Sequence, residues 1–301
     1  KENFQCQYVR AGWVQARTED EQHSLQQSVA LAKQTNTMDW QSISSEEVRL
    51  RTGMHTDHEA GFSQDAASWH PAQWVWCLLQ RALMEPQVDL FTRTTVQEVQ
   101  PQGSNYHVVT SRGVLRARHV IYATESYTPQ LEPSFSNSII PMQEQAASGT
   151  GGPTTMKPHV GISGSWFFAG RYGKRVLFGS GGARLSDNEA GCNQPSRFLT
   201  RFVASEMKQY FGPYHIQMEN EWSGTVGYTP DQYPIVGCMD GKGRYIIAGM
   251  CGSGSAVSFN GARCVVNRIL NLTDEPDDYP EVYFGPSRLL SPDQHSWPEL
   301  I

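Results

Sequence analysis

The chain has 301 residues, a net charge of −6, 39% apolar and 18% charged residues. This length suits two packed units with sizeable cores, and the balance is that of a globular rather than a disordered chain. No Lys/Arg run exceeds a pair, which argues against a nucleic-acid surface, and no apolar run is long enough to span a bilayer.

Phe4–Ala16 is rich in aromatic and β-branched residues and reads as strand. Thr18 is placed to cap a helix running to about Gln34, with Glu19, Asp20 and Glu21 in its first turn. Ser44 or Ser45, followed by Glu46 and Glu47, starts a short helix. His70-Pro71 opens a stronger one, in which Trp74, Leu78 and Ala82 share a face with Val75, Leu79 and Leu83 beside them. Strands are then expected over Val88–Thr92, Thr95–Val99, Tyr106–Thr110 and Val114–Ala117, with a turn at Ser111-Arg-Gly113. His119–Ala123 is short and apolar, as a strand in a sheet interior is.

Ile139–Gln145 reads as strand within a Gly/Ser/Thr-rich stretch. Trp166–Tyr172 and Arg175–Gly179 read as a hairpin around Gly173-Lys174. Gln194–Phe211 is helical, Ile216–Val226 returns as strand, and Tyr245–Ala248 is an apolar strand. The order of elements suggests an α+β fold, with sheet pieces brought together from distant segments.

The six cysteines are scattered, none in a C-x-x-C pair, so neither a metal site nor a redox dithiol is suggested. They read as free thiols of a reducing compartment, and a cytoplasmic protein is expected. The chain opens with Lys1 on what reads as an interior strand, so a fragment or a missing N-terminal segment is expected.

The glycine-rich turn Gly249–Gly254 lies between the strand Tyr245–Ala248 and a helix ending near Leu270. Such a turn brings backbone amides to a helix N-terminus, where they hold an anion or an electron-rich ligand edge. Gly252-Ser-Gly254-Ser-Ala-Val257 approximates G-x-G-x-x-G, but a self-contained dinucleotide fold also needs a second parallel strand and a ribose-binding acid. A glycine-rich helix start needs no ligand at all, and the residues alone leave these readings open.

The run Trp222-Ser-Gly224, Tyr228-Thr-Pro-Asp231, Pro234-Ile-Val-Gly237, Tyr245-Ile-Ile-Ala-Gly249, Gly252-Ser-Gly254 and Gly261-Ala262 resembles the C-terminal signature of the D-amino-acid oxidase superfamily. These are flavin-dependent amine oxidoreductases. Trp69-His-Pro71, Thr94-Thr-Val96 and Val120-Ile-Tyr-Ala-Thr124 with Tyr127-Thr-Pro129 resemble upstream family segments in the same order. The resemblance covers about Tyr8 to Leu270. It implies a partial FAD-binding domain, sheet plus helices, interleaved with a mixed-sheet substrate domain. The implied division is 1–65 substrate-domain strand and helices, 66–135 FAD-domain segment, 136–232 substrate-binding mixed sheet, and 233–301 FAD-domain C-terminal segment and tail.

By the same resemblance FAD is the cofactor. Thr95 and Val96 would lie at its adenine end, Ala123 and Thr124 at the pyrophosphate side, and Gly249, Gly252, Ser253, Gly254 and Ser255 at the flavin. The family's N-terminal strand–GxGxxG–helix is not among these residues. Glu125 stands where relatives carry a small or neutral residue, and a carboxylate there would repel phosphate unless it points away or pairs with an arginine.

The implied reaction oxidises the C–N bond of a small-molecule amine or amino acid to an imine, with hydride transfer to flavin. Tyr172, Arg184 and Tyr228 are the candidate catalytic residues on the substrate sheet, Arg184 as a bidentate carboxylate clamp. For each, a surface arginine or a buried tyrosine with a satisfied hydroxyl is the competing reading. His159 reads as isolated and non-catalytic. The alternative function is a shortened, flavin-free relative acting as a cofactor-independent catalyst or small-molecule binding protein. Apolar sheet around Val120–Ala123 is expected to be exposed and covered by a homodimer partner or the missing segment.

Overall fold

A computed structural model describes residues 4–36, 39–164, 167–212 and 216–272. Trp166 and the tail from Thr273 onward lie outside them. The first third contains β1 (Val9–Arg10), β2 (Trp13–Gln15), α1 (Gln22–Thr35), β3 (Trp40–Ile43), α2 (Ser45–Thr52), β4 (Ala60–Ser63), β5 (Ala67–Ser68) and α3 (Pro71–Ala82). There follow β6 (Val96–Gln102), β7 (Asn105–Thr110), β8 (Gly113–Ala117), β9 (Val120–Tyr122), α4 (Thr128–Leu131), β10 (Ile140–Gly151), β11 (Gly161–Ser163), β12 (Phe167–Tyr172) and β13 (Arg175–Arg184). The last are α5 (Arg197–Phe211), β14 (Ile216–Tyr228), β15 (Ile235–Cys238), β16 (Arg244–Ala248) and α6 (Gly254–Leu270). The fold is α+β, as the order of predicted elements suggests.

The chain forms two compact units. The first takes Lys1–Asp89, Glu144–Gly181 and Gln194–Ser223, and the second takes Leu90–Gln143, Gly182–Asn193 and Gly224–Ile301. The first unit is built on a mixed sheet of order β14-β10-β13-β12-β11-β2-β4-β3. In it β2 and β11 run parallel, whereas β12–β13 is an antiparallel hairpin closed at Tyr172↔Arg175. Alternate residues of these strands, among them Val14, Phe62, Ile162, Val176 and Phe178, build one apolar core with Val203 and Phe211 of α5. Phe178 meets Phe211 edge-on at 5.6 Å. Helix α1 buries Leu25, Val29 and Ala32, the one-face spacing of an amphipathic helix.

Two expectations need correction. Helix α1 starts at Gln22, with no acid in its first turn. The Glu21 carboxylate instead accepts the Thr18 amide at 2.9 Å and the Thr18 hydroxyl at 3.2 Å, so this acid is spent on the turn before the helix. Val88–Thr92 forms no strand. The Val88 amide goes to the Glu85 carbonyl at 3.0 Å, closing a turn that holds Pro86, and β propensity finds no ladder there. The other two helix starts are as expected. Ser44 Oγ accepts the Glu47 amide at 3.2 Å, and His70 Nδ1 accepts the Gln73 amide at 3.3 Å ahead of Pro71. No residue of α3 is buried, although its apolar residues share a face.

The second unit has an antiparallel meander, β6-β7-β8, and a three-stranded sheet of order β15-β16-β9. Strand β16 is antiparallel to β15 and parallel to β9. One core joins Tyr122, Phe135, Ile139, Ile235, Ile246 and Ala248, and a second seats α6 through Cys264 and Val265 on Val236 and Tyr245. Strand β9, expected in a sheet interior, lies at the edge of its sheet, and Ile121 is 43% exposed. A polar network fixes β9 beside β16. The Arg244 guanidinium donates to Glu132 at 2.8 Å and to Asp240 at 2.9 Å, Tyr122 donates to Glu132 at 2.7 Å, and Tyr106 donates to Asp240 at 2.9 Å.

Candidate cofactor site

Strand β16 ends at Ala248, and the backbone then turns sharply before α6 begins at Gly254. Three of the next four residues are left-handed: Gly249 at φ +65°, Cys251 at +49° and Gly252 at +79°. Glycine takes this conformation without steric cost, whereas Cys251 is strained by about 1 kcal/mol. The strain is offset by bonds that fix the bend. The Cys251 amide donates to the Gly227 carbonyl at 3.0 Å, the Thr229 amide donates to Cys251 Sγ at 3.3 Å, and the Ser253 amide donates to the Met250 carbonyl at 2.8 Å. At Gly249 a Cβ would stand 2.7 Å from Thr229 Cγ2, so only glycine fits. Burial, reinforced by the charges of Glu125 and Asp231 and only partly opposed by the bonds from Thr229, pushes the Cys251 thiol up to about 11. The thiol is therefore protonated and unreactive at neutral pH.

The bend forms one wall of a cavity of about 470 Å³ in the second unit, well within the range of small-molecule sites. Ala123, Val226, Ile247, Met250 and Ala262 give it an apolar lining. Its polar edge is the start of α6, with Gly252, Gly254, Ser255 and Ser258, and the carboxylate of Glu125. The first amides of α6 are those a helix cannot satisfy from within, and they carry the positive end of its dipole. Ser253 precedes the helix without a side-chain cap, which leaves that end to a ligand or to water.

The cavity thus brings together Ala123, Gly252, Gly254 and Ser255, with Gly249 and Ser253 shaping the bend beside it. Thr124 precedes Glu125 and its hydroxyl meets that of Thr128 at 2.9 Å. Thr95 and Val96 lie elsewhere in the unit, at the start of the meander, where the Thr95 amide donates to Ser111 Oγ at 3.1 Å and Val96 pairs with Thr110. Tyr172 belongs to the first unit, and burial pushes its hydroxyl up from the ordinary value. His159 is not isolated: its ring meets Tyr172 edge-on at 5.7 Å and its Nδ1 lies 3.3 Å from Ser68 Oγ. Arg184 ends β13 and Tyr228 ends β14, both in the second unit, and neither lines the cavity.

Glu125 does not point away from the bend. Its carboxylate accepts the Gly227 amide at 3.0 Å and the Met250 amide at 3.1 and 3.2 Å. Met250 and Ser258 are cavity residues that the sequence did not single out, although Ser258 lies one helical turn beyond Gly254.

The family model for FAD-dependent oxidoreductases of the DAO type matches residues 1–268. The chain belongs to this family. No curated protein sequence matches it. Its fold is shared with glycine oxidase from Geobacillus kaustophilus at 14% identity and a TM-score of 0.75, with 91% of this chain and 74% of that one covered. L-proline dehydrogenase from P. horikoshii aligns at 16% identity and a TM-score of 0.77, covering 93% of this chain and 77% of its own. L-amino acid deaminase from Proteus vulgaris, lacking its specific insertion, aligns at 18% identity and 0.69, covering 92% and 72%. The DAO-family protein is therefore an FAD-dependent oxidoreductase, which disfavours the flavin-free alternative.

The cavity residues fit that cofactor. An isoalloxazine has a flat apolar body and a polar pyrimidine edge, and the cavity offers an apolar lining beside helix-start amides and two serine hydroxyls. Among the described residues no group of His, Cys, Asp and Glu could hold a metal ion, and no helix is long and apolar enough to cross a membrane.

Proposed function

We propose that the protein oxidises the C–N bond of a small amine or amino acid to an imine, the substrate losing a hydride from carbon and a proton from nitrogen. FAD supplies the hydride acceptor. The observation that carries this reading is the cavity at the start of α6 in a chain of this family. The amides of Gly254 and Ser255 would hold the pyrimidine edge and stabilise negative charge arriving there. Gly252 and Gly254 allow close approach, and Ala123, Val226 and Ile247 exclude water from the ring. We assign the second unit to FAD and the mixed sheet of the first to substrate. Tyr172 of the first unit, and Arg184 and Tyr228 of the second, are each a candidate orienting side chain, Arg184 for a carboxylate and the tyrosine hydroxyls for an amine.

The neighbours' names support an amine substrate, since they specify glycine, L-proline and L-amino acids. The test is anaerobic mixing of the purified FAD-loaded protein with amines and amino acids. Loss of the oxidised flavin band with some of them, and formation of the corresponding oxo acid or aldehyde, is expected. A flavin bleached by reduced nicotinamide but by no amine would sink the assignment.

A further inference from the structure

Glu125 is held by backbone amides that lie far from it in sequence. It adopts φ +48°, a left-handed conformation that costs a residue with a side chain about 1 kcal/mol. Its carboxylate spans two distant segments, taking the Gly227 amide near the end of β14 and the Met250 amide within the bend after β16. A Cβ at Gly227 would come within 3.4 Å of Glu125 Cδ, so β14 approaches this carboxyl closely. The same residue lines the cavity and bears on the Cys251 thiol nearby. The bend therefore carries an acid of its own, bound by two backbone amides, in a wall where the next amides belong to the helix start.

We propose that Glu125 is a positioning residue with an electrostatic role: its carboxylate locks the bend after β16 and sets a fixed negative charge in the wall of the flavin cavity. This rests on the assignment of that cavity to FAD. A fixed anion beside the ring makes each added electron more costly, lowering the reduction potential, while the α6 amides act in the opposite sense. The acceptor role and the charge are separable. Glu125→Gln keeps a carbonyl oxygen for the amides and removes the charge. Glu125→Gly suits the left-handed backbone and removes both.

The test uses the full chain with its FAD, reading the flavin midpoint by dye equilibration and amide hydrogen exchange of the peptide Ile247–Ser258. In Glu125→Gln the reduced-to-oxidised ratio at a fixed potential is expected to rise roughly tenfold, with exchange within about twofold of wild type. In Glu125→Gly the ratio rises similarly and exchange quickens by about tenfold or more. Should the glutamine variant not fold, Glu125→Asp serves instead: the midpoint is kept and exchange quickens. An unchanged midpoint in Glu125→Gln, or a shifted one in Glu125→Asp, overturns the electrostatic role; unchanged exchange in Glu125→Gly overturns the lock. If Gly254→Leu leaves FAD bound as before, the cavity assignment itself has failed; if it expels FAD while the glutamine midpoint stays put, only the role of Glu125 has.

Discussion

Gly254→Leu is expected to weaken FAD binding about a hundredfold or more, near 3 kcal/mol, without loss of fold. Gly254 is the first residue of α6 and lines the cavity, and its backbone is not left-handed. A Cβ there would meet Met250 Cβ at 3.4 Å, an ordinary contact. The protein's own packing thus tolerates a side chain, and replacing glycine in the helix gains about 0.5–1 kcal/mol. Gly249 is the control. Its φ of +65° and the 2.7 Å approach to Thr229 make Gly249→Ala costly to the fold itself, by about 2–4 kcal/mol. Fluorescence titration with FAD, set beside thermal melts, reads the two apart. Gly254→Leu should melt at or above the wild-type temperature while binding poorly, whereas Gly249→Ala should melt early. A Gly254→Leu protein that binds FAD as tightly as wild type would remove the ring from this cavity.

The bend was legible because glycine announces where the backbone goes left-handed and because an apolar strand and a helix flank it. What could not be read is that Cys251 and Glu125 are left-handed as well, since neither residue type signals it. The partners that hold Glu125 lie 102 and 125 residues away in sequence, and no spacing rule spans such distances. For the same reason His159 read as isolated, although the fold places Tyr172 and Ser68 against it. Local chemistry did set the starts of α2 and α3, where the capping side chain lies only three residues before its amide. It misled at α1, where Glu21 closed a turn instead of entering the helix, and at Val88–Thr92, where β-forming residues had no neighbouring strand. The edge position of β9 follows from which strands pair, and its apolar run was equally compatible with a sheet interior.

Arg244→Met is expected to lower the stability of the second unit by about 3 kcal/mol at pH 7, because it leaves two largely buried carboxylates without their cation. The side chains of Arg244, Glu132 and Asp240 are only 22%, 18% and 17% exposed, so water screens the pairs weakly. Burial alone would push the Asp240 carboxyl up, but bonds from the Lys242, Gly243 and Arg244 amides and the Arg244 side chain outweigh it. They hold the group well below the usual carboxylate range. The sign follows: a carboxyl depressed in the folded state adds stability that is complete above the ordinary carboxylate value of about 4. That stability is lost as pH falls toward the depressed value. Urea melts of wild type and Arg244→Met should therefore differ most at pH 7 and converge as pH falls below about 4, with Arg244→Lys intermediate because it keeps a charge without the fork. An equal gap at pH 7 and pH 3 would mean that packing of the arginine stem, and not its charge, is what the variant loses. The consequence reaches the cofactor site. Tyr122 and Arg244 meet on Glu132, so β9, which leads into Glu125, and β16, which leads into the bend, are held in one register by this network. Loosening it should weaken FAD binding even though none of its members lines the cavity.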